Sequence, residues 1–307
     1  MTARRLRGIG LTVILLWLAG TVFIAPDIAL QAPDNPVTVS PADIDLPYRD
    51  VVIESDGLEL PGWWMAAASP RAILVWAHGG GSNRHSTFFD SLNFYKALVD
   101  RGVSVLSFDQ RNHGMAPRDT GKISFGLRES RDVAAAIEWA HAHNSEGLPV
   151  IVMGVSMGGA SAIHALADGA EVDALILTDA VLNPVDVLAR GGWIAYGIPS
   201  ALFLPMSWGA VLFNELSVGD SAPLALATHL ELPTLFMQSP RDPITRAVYA
   251  QKLAEKRPGM HYVEAPAVSA DDPCVSFKGR WGTHASAYLC HPQWTMQQIA
   301  QFLAPLI

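Results

Sequence analysis

Cysteine is scarce in this 307-residue chain: Cys274 and Cys290 are the only two. No Cys-x-x-Cys pair and no His-x-x-x-His pair occurs, which argues against a bound metal. Charge is also thin, at 16% of residues. The body has no Lys/Arg cluster. Setting aside Arg4, Arg5 and Arg7 leaves 18 basic residues against 29 acidic ones, a body at -11. That balance argues against nucleic acid as a partner. Internal repeats and low-complexity tracts are absent as well. Hydrophobic residues, by contrast, make up 50% of the chain, enough for one large core. The size suits one α/β domain with an insertion as well as two small domains.

The three arginines stand ahead of an uncharged stretch, residues 8–26, closed by Asp27. Secretory apolar regions run about 7–15 residues and a spanning helix needs about 20, so this stretch lies nearer the second. No clean small-x-small cleavage site follows it. The reading is an uncleaved membrane anchor over residues 1–26, with a cleaved signal peptide as the alternative. Basic residues before the span place the amino terminus in the cytoplasm and the body outside it, in the periplasm or at the cell surface. Residues 27–47, rich in Pro and Asp, read as a stalk, and residues 48–307 as the folded domain.

The most informative stretch is 148–160, LPVIVMGVSMGGA. A β-branched run reads as a buried strand, and Ala160 opens a run of helix formers. Between them lies Gly154-Val155-Ser156-Met157-Gly158, a Gly-x-Ser-x-Gly turn from strand to helix. Glycine two residues to either side lets the chain turn sharply enough to hold a serine hydroxyl above the strand's carboxyl end. The helix amino terminus beneath favours developing negative charge. Ser156 is thereby the candidate nucleophile. Standing alone, such a pattern equally describes a glycine-rich turn with a bystander serine.

Upstream, residues 48–55 and 58–65 read as an antiparallel pair about Asp56-Gly57 at one sheet edge. An apolar strand at 72–77 runs into His78-Gly79-Gly80-Gly81-Ser82, where backbone N–H groups can face a cavity unobstructed. The Gly80 and Met157 amides are the candidate oxyanion donors, with Gly81 as the alternative to Gly80, and His78 pins the loop. A helix at 88–100 and a strand at 103–108 lead to Asp109-Gln-Arg-Asn-His-Gly114, a loop braced by Arg111 and Asp109; His113 precedes the nucleophile and is read as structural. A helix follows at 127–143, with Glu129, Arg131 and Asp132 in surface or structural ion pairs.

HGGG, FDQRNHG and GVSMGG, each after a strand and in that order, resemble the α/β-hydrolase superfamily of serine hydrolases, over roughly residues 48–306. The resemblance implies an α/β fold: a mostly parallel central sheet flanked by helices, with a triad in the order Ser, acid, His. The family's usual acid position matches Asp242, in the turn after the strand at 234–238; Asp179, after the strand at 174–177, is the alternative. The base position matches His284, in the loop before a final helix at 293–303, ahead of His291; His261 reads as a strand residue.

Residues 181–223 are too long for an ordinary strand-to-helix connection and carry Trp193, Tyr196, Phe203, Trp208 and Phe213, which reads as an apolar helical cap over the site. Outside the cytoplasm Cys274 and Cys290 could close a loop around His284. The expectation is a serine hydrolase acting on an ester-type acyl bond of a hydrophobic or lipid-like small molecule, needing no cofactor. Thioesterase or serine aminopeptidase action uses the same machinery. A membrane-tethered binding module without catalysis is the reading from another class, and acyl transfer to an alcohol a third.

Overall fold

The structure, a computed structural model, describes residues 3–307, with side chains from Ile9 onward. The side chains of Arg4, Arg5 and Arg7, on which the orientation of the amino terminus rests, lie outside the described residues.

Eight strands form one sheet in the order β1-β2-β4-β3-β5-β6-β7-β8. β1 (Arg49–Ser55) and β2 (Leu58–Met65) pair antiparallel through Asp56 and Gly57, both at positive φ as a tight hairpin demands. β2 lies antiparallel to β4 (Val103–Phe108). From β4 onward every neighbour is parallel: β3 (Ala72–Ala77), β5 (Val150–Val155), β6 (Ala174–Thr178), β7 (Thr234–Gln238) and β8 (His261–Glu264). β3, β4, β5, β6 and β7 are buried along their whole length, because helices cover both faces.

One face is covered by α4 (Ser130–Ala142), α5 (Met157–Ala167), α8 (Pro223–Ala227) and α9 (Ala247–Lys256), which contribute Val133, Ile137, Ile163, Ala227 and Leu253 to its core. The other face takes α3 (Ser91–Val99) and α12 (Pro292–Leu303), through Phe94, Tyr95, Leu98, Met296 and Ile299. The predicted helix at 88–100 starts only at Ser91, since Asp90 sits left-handed at φ 61°. That at 127–143 starts at Ser130, because the Glu129 carboxylate accepts the Ser124 and Gly126 N–H groups and holds the preceding turn out of the helix.

The amino terminus is helical through α1 (Ala3–Ala19), a π-helical turn (Gly20–Ile24) and α2 (Ala25–Ala29). Ile9–Ala29 is 21 residues, long and apolar enough to cross a membrane, and its side chains are almost all exposed. The stretch expected to be a stalk instead lies along the body. Leu30, Ala32, Pro41 and Leu46 are buried there, which a free linker could not achieve. Between β6 and β7 stand α6 (Pro184–Tyr196) and α7 (Leu204–Phe213), ahead of α8.

Candidate active site

Ser156 stands in the turn between the last residue of β5 and the first of α5, at φ 54° and ψ -118°, a conformation that costs a non-glycine residue on the order of 1–3 kcal/mol. The glycines around it are required by contact. A Cβ on Gly154 would meet the Gly158 carbonyl at 2.4 Å, and one on Gly158 the Ala77 carbonyl at 2.0 Å. The surrounding packing therefore enforces the strained turn and keeps the hydroxyl at the carboxyl edge of the sheet.

Three side chains from distant parts of the chain meet there. His284 Nε2 lies 2.9 Å from Ser156 Oγ, and His284 Nδ1 lies 2.7 Å from Asp242 Oδ2. Asp242 is itself fixed: Oδ1 accepts the Ile244 and Thr245 N–H groups, and Oδ2 the Thr245 hydroxyl at 2.7 Å. With Nδ1 donating to that carboxylate, Nε2 is the free acceptor for the serine proton. Burial alone would lower the His284 pKa. The Asp242 charge and hydrogen bond outweigh it, aided by the Asp179 charge, and leave it above the ordinary imidazole value.

His291, the competing base, is turned away, with Nε2 3.0 Å from the Pro266 carbonyl, and His261 is exposed at the sheet edge. Asp179 stands behind the pair rather than on the imidazole. Its carboxylate accepts from the Ser239 N–H and hydroxyl, from Gln238 Nε2 and from the Ala285 N–H. Burial first, and then the neighbouring Asp242 charge, push it up to about 7. Asp179, Asp242 and His284 bring ligand-type atoms within 4.8 Å of one another. Those atoms are already engaged by hydrogen bonds within the protein.

The His78–Ser82 loop lies against the elbow: a Cβ on Gly79 would stand 3.3 Å from Ser156 Cβ, and one on Gly80 3.4 Å from Met157 Sδ. His78 Nε2 accepts the Gln110 N–H at 3.0 Å, which leaves Nδ1 to donate to the Gly79 carbonyl at 2.9 Å. Burial, and secondly the facing His113, lower its pKa to about 3, so the ring stays neutral and serves as a strut. The Met157 amide, at the start of α5, has no intrahelical acceptor. In the 109–114 loop, Asp109 pairs with Arg84 at 2.9 Å, and Arg111 with buried Asp132 at 2.7 Å.

The supports from Lys278 and Asn35 had no local signal, whereas the loop closed by Cys274 and Cys290 was legible from their spacing about His284. Lys278 is buried and donates to the Phe88 and His284 carbonyls at 2.7 and 3.0 Å, tying the histidine loop to the turn ahead of α3. Asn35, inside the expected stalk, donates to the Gly81 carbonyl at 3.0 Å, and Asn83 donates back to the Asn35 carbonyl. Cys274, in α10 (Pro273–Ser276), is disulfide-bonded to Cys290, at the end of α11 (Ala287–Cys290), so the bond brackets His284.

A model of the Hydrolase_4 family, described as serine aminopeptidase, S33, matches residues 68–223, just over half of the chain. The chain belongs to this α/β-hydrolase family. It is similar to the uncharacterized protein YqkD of Bacillus subtilis (strain 168), 25% identical over 264 residues that take in 82% of this chain and 78% of that protein. It is also similar to the monoglyceride lipase of Homo sapiens, 29% identical over 126 residues, 40% of each chain. Among solved structures, the Pyrococcus furiosus esterase Pf2001 matches with a TM-score of 0.72 at 21% identity, over 90% of this chain and 98% of that one. The dienelactone hydrolase from Anabaena variabilis matches with a TM-score of 0.57 at 15% identity, over 85% and 98%. At these identities the structural likeness speaks for the fold alone.

Proposed function

We propose that this α/β hydrolase is a serine hydrolase that cleaves an ester-type acyl bond of a hydrophobic, lipid-like molecule through Ser156, His284 and Asp242. The observation that carries the reading is the unbroken hydrogen-bond line from Ser156 Oγ through the His284 ring to Asp242. His284 Nε2 takes the hydroxyl proton as Ser156 Oγ bonds to the substrate carbonyl carbon, and Asp242 stabilises the resulting imidazolium. The carbonyl oxygen becomes an oxyanion held by the Gly80 and Met157 amides. Collapse expels the alcohol, which takes the proton from His284. Water then gives a proton to Nε2 and attacks the acyl carbon, and the acid leaves as Ser156 regains its hydrogen. Every proton is carried by His284, so no cofactor enters the scheme.

The ester preference is supported by the apolar insertion at 181–223, proposed as a cap, and by the likeness to a monoglyceride lipase. The description of the family favours aminopeptidase action as the second reading. Residues 1–26 are proposed as a membrane anchor with the catalytic body outside the cytoplasm, a placement that suits the Cys274–Cys290 disulfide. Assay of the full chain on p-nitrophenyl esters of increasing length, beside aminoacyl p-nitroanilides, tests the substrate class. Turnover of esters that improves with chain length is expected. Turnover of the anilides alone would replace the esterase reading with the peptidase one.

A further inference from the structure

The amino-terminal apolar helix is seated on the insertion between β6 and β7. A Cβ on Gly209, in α7, would meet the Val22 carbonyl at 2.2 Å and Pro26 Cγ at 3.0 Å, so the glycine is a notch for the helix backbone. The Phe23 and Phe213 rings lie 5.3 Å apart. Leu30, at the helix's exit, is buried with Leu188, Met206, Ala210 and Leu216. Beside this seam α7 and the turn before it expose Ile198, Leu202, Leu204, Trp208, Leu212 and Phe213, between 42% and 69% accessible.

Charge is distributed accordingly. From Gly191 to Asn214 no Asp, Glu, Lys or Arg occurs. Paired ions stand at both ends of the run: Arg190 with Asp186 at one, and at the other Lys122, whose Nζ reaches Asn214 at 2.9 Å and Asp27 at 2.7 Å. A 21-residue helix rises about 31 Å, close to the roughly 30 Å of a bilayer's hydrocarbon. Val22, Phe23 and Pro26 fall within that apolar length, so an α7 packed on them shares their depth, and the Asp27–Lys122 pair marks where the surface returns to water.

We propose that the exposed face of the cap, continuous with the amino-terminal helix, docks into a lipid bilayer, so that the site receives its acyl substrate directly from the membrane. The substrate part rests on the ester-hydrolase reading above. The helix's exit adjoins the site. The Leu30 carbonyl accepts the Ile123 N–H at 2.7 Å, Ile123 lies against Gly80, and Pro33 crosses Gly81. These contacts place the lipid-facing end of the helix beside the glycine loop next to Ser156.

The test uses the full chain in phosphatidylcholine vesicles. Because the native cysteines are bonded to each other, Leu202→Cys, Leu212→Cys and, at the exposed carboxyl end of α9, Lys256→Cys can each carry one environment-sensitive fluorophore. The expected result is that both cap labels are quenched by nitroxide on lipid acyl chains and shielded from aqueous iodide, with the reverse at position 256. Cap labels open to iodide would overturn the proposal; labels shielded from both quenchers would do so too, and would mean that a protein or a second copy covers the face. Leu202→Glu with Leu212→Glu should then slow turnover of a bilayer-dissolved long-chain ester about tenfold or more, leaving a water-soluble short ester unaffected. Labels at lipid depth on a protein that cleaves no ester would sink the hydrolase reading and leave the docking intact. Equal slowing of both esters would remove lipid delivery from the proposal.

Discussion

The Asp179 carboxylate accepts the backbone N–H of Ala285 at 2.9 Å, and both residues sit at positive φ, 45° and 51°. Ala285 follows His284 directly, so this bond fixes the rise of the histidine loop above the sheet. It also explains why Asp179, the alternative acid in the sequence, is buried beside Asp242 and His284 without hydrogen-bonding the imidazole.

Asp179→Ala leaves the Ser239 and Ala285 donors without their acceptor at a cost of about 1–3 kcal/mol each. The expected loss in kcat/KM is roughly ten- to a hundredfold, with Asp179→Asn intermediate. A positioning role carries a second signature. The Asp179 charge helps to raise the His284 pKa, so the acid limb of the Asn variant's pH profile should move to lower pH. A stability loss with an unmoved profile would reduce Asp179 to packing.

The pH dependence of the native protein follows from the same groups. Only neutral His284 can accept the serine proton, so kcat/KM should fall as pH drops through a value above the ordinary 6.5. Stability runs the opposite way. His284 and Asp179 both bind protons more tightly when folded, so their contribution is full below their unfolded values and lost as pH rises through the folded ones. For Asp179 that window runs from 3.8 to about 7. The Tm of Asp179→Asn should therefore gain on the native protein across it; a constant difference contradicts the raised carboxyl.

Each residue that meets at Ser156 stands in a stretch with its own local signal: glycines around a serine, an aspartate in a Pro-containing turn after a strand, a histidine before the last helix. The strands were equally legible, since fully buried parallel strands are unbroken apolar runs. Supports that depend on contact across the chain were not. Lys278 meets Phe88 190 positions away, and Asn35 meets Gly81 across 46, from a Pro/Asp-rich stretch whose composition spoke for a stalk. Local composition cannot report that Leu30 and Pro33 find partners on the body.

That strap yields a prediction of its own. Removing residues 1–35 deletes Pro33 and the Asn35 bond to the Gly81 carbonyl. The shortened body should fold yet lose activity, and Asn35→Ala in the full chain should lose a smaller part, about two- to tenfold. Full activity in the truncated body, on a water-soluble ester, would show that the glycine loop needs no strap.

Reducing Cys274–Cys290, or replacing both with serine, frees the segment that carries His284. A loop of this length stabilises by about 3 kcal/mol in the loop-entropy model. A lower Tm and faster thermal inactivation in the presence of reductant are expected, with the serine double variant insensitive to it. Unchanged inactivation would assign the bond no role in holding the loop.

The most direct test of the proposed triad is fluorophosphonate labelling followed by peptide mapping, in the native chain and in Ser156→Ala, His284→Ala and Asp242→Ala. One adduct on Ser156, absent in the first variant and slowed by orders of magnitude in the second, is the expected result. A native chain that stays unlabelled, or an adduct on any other residue, would contradict the account.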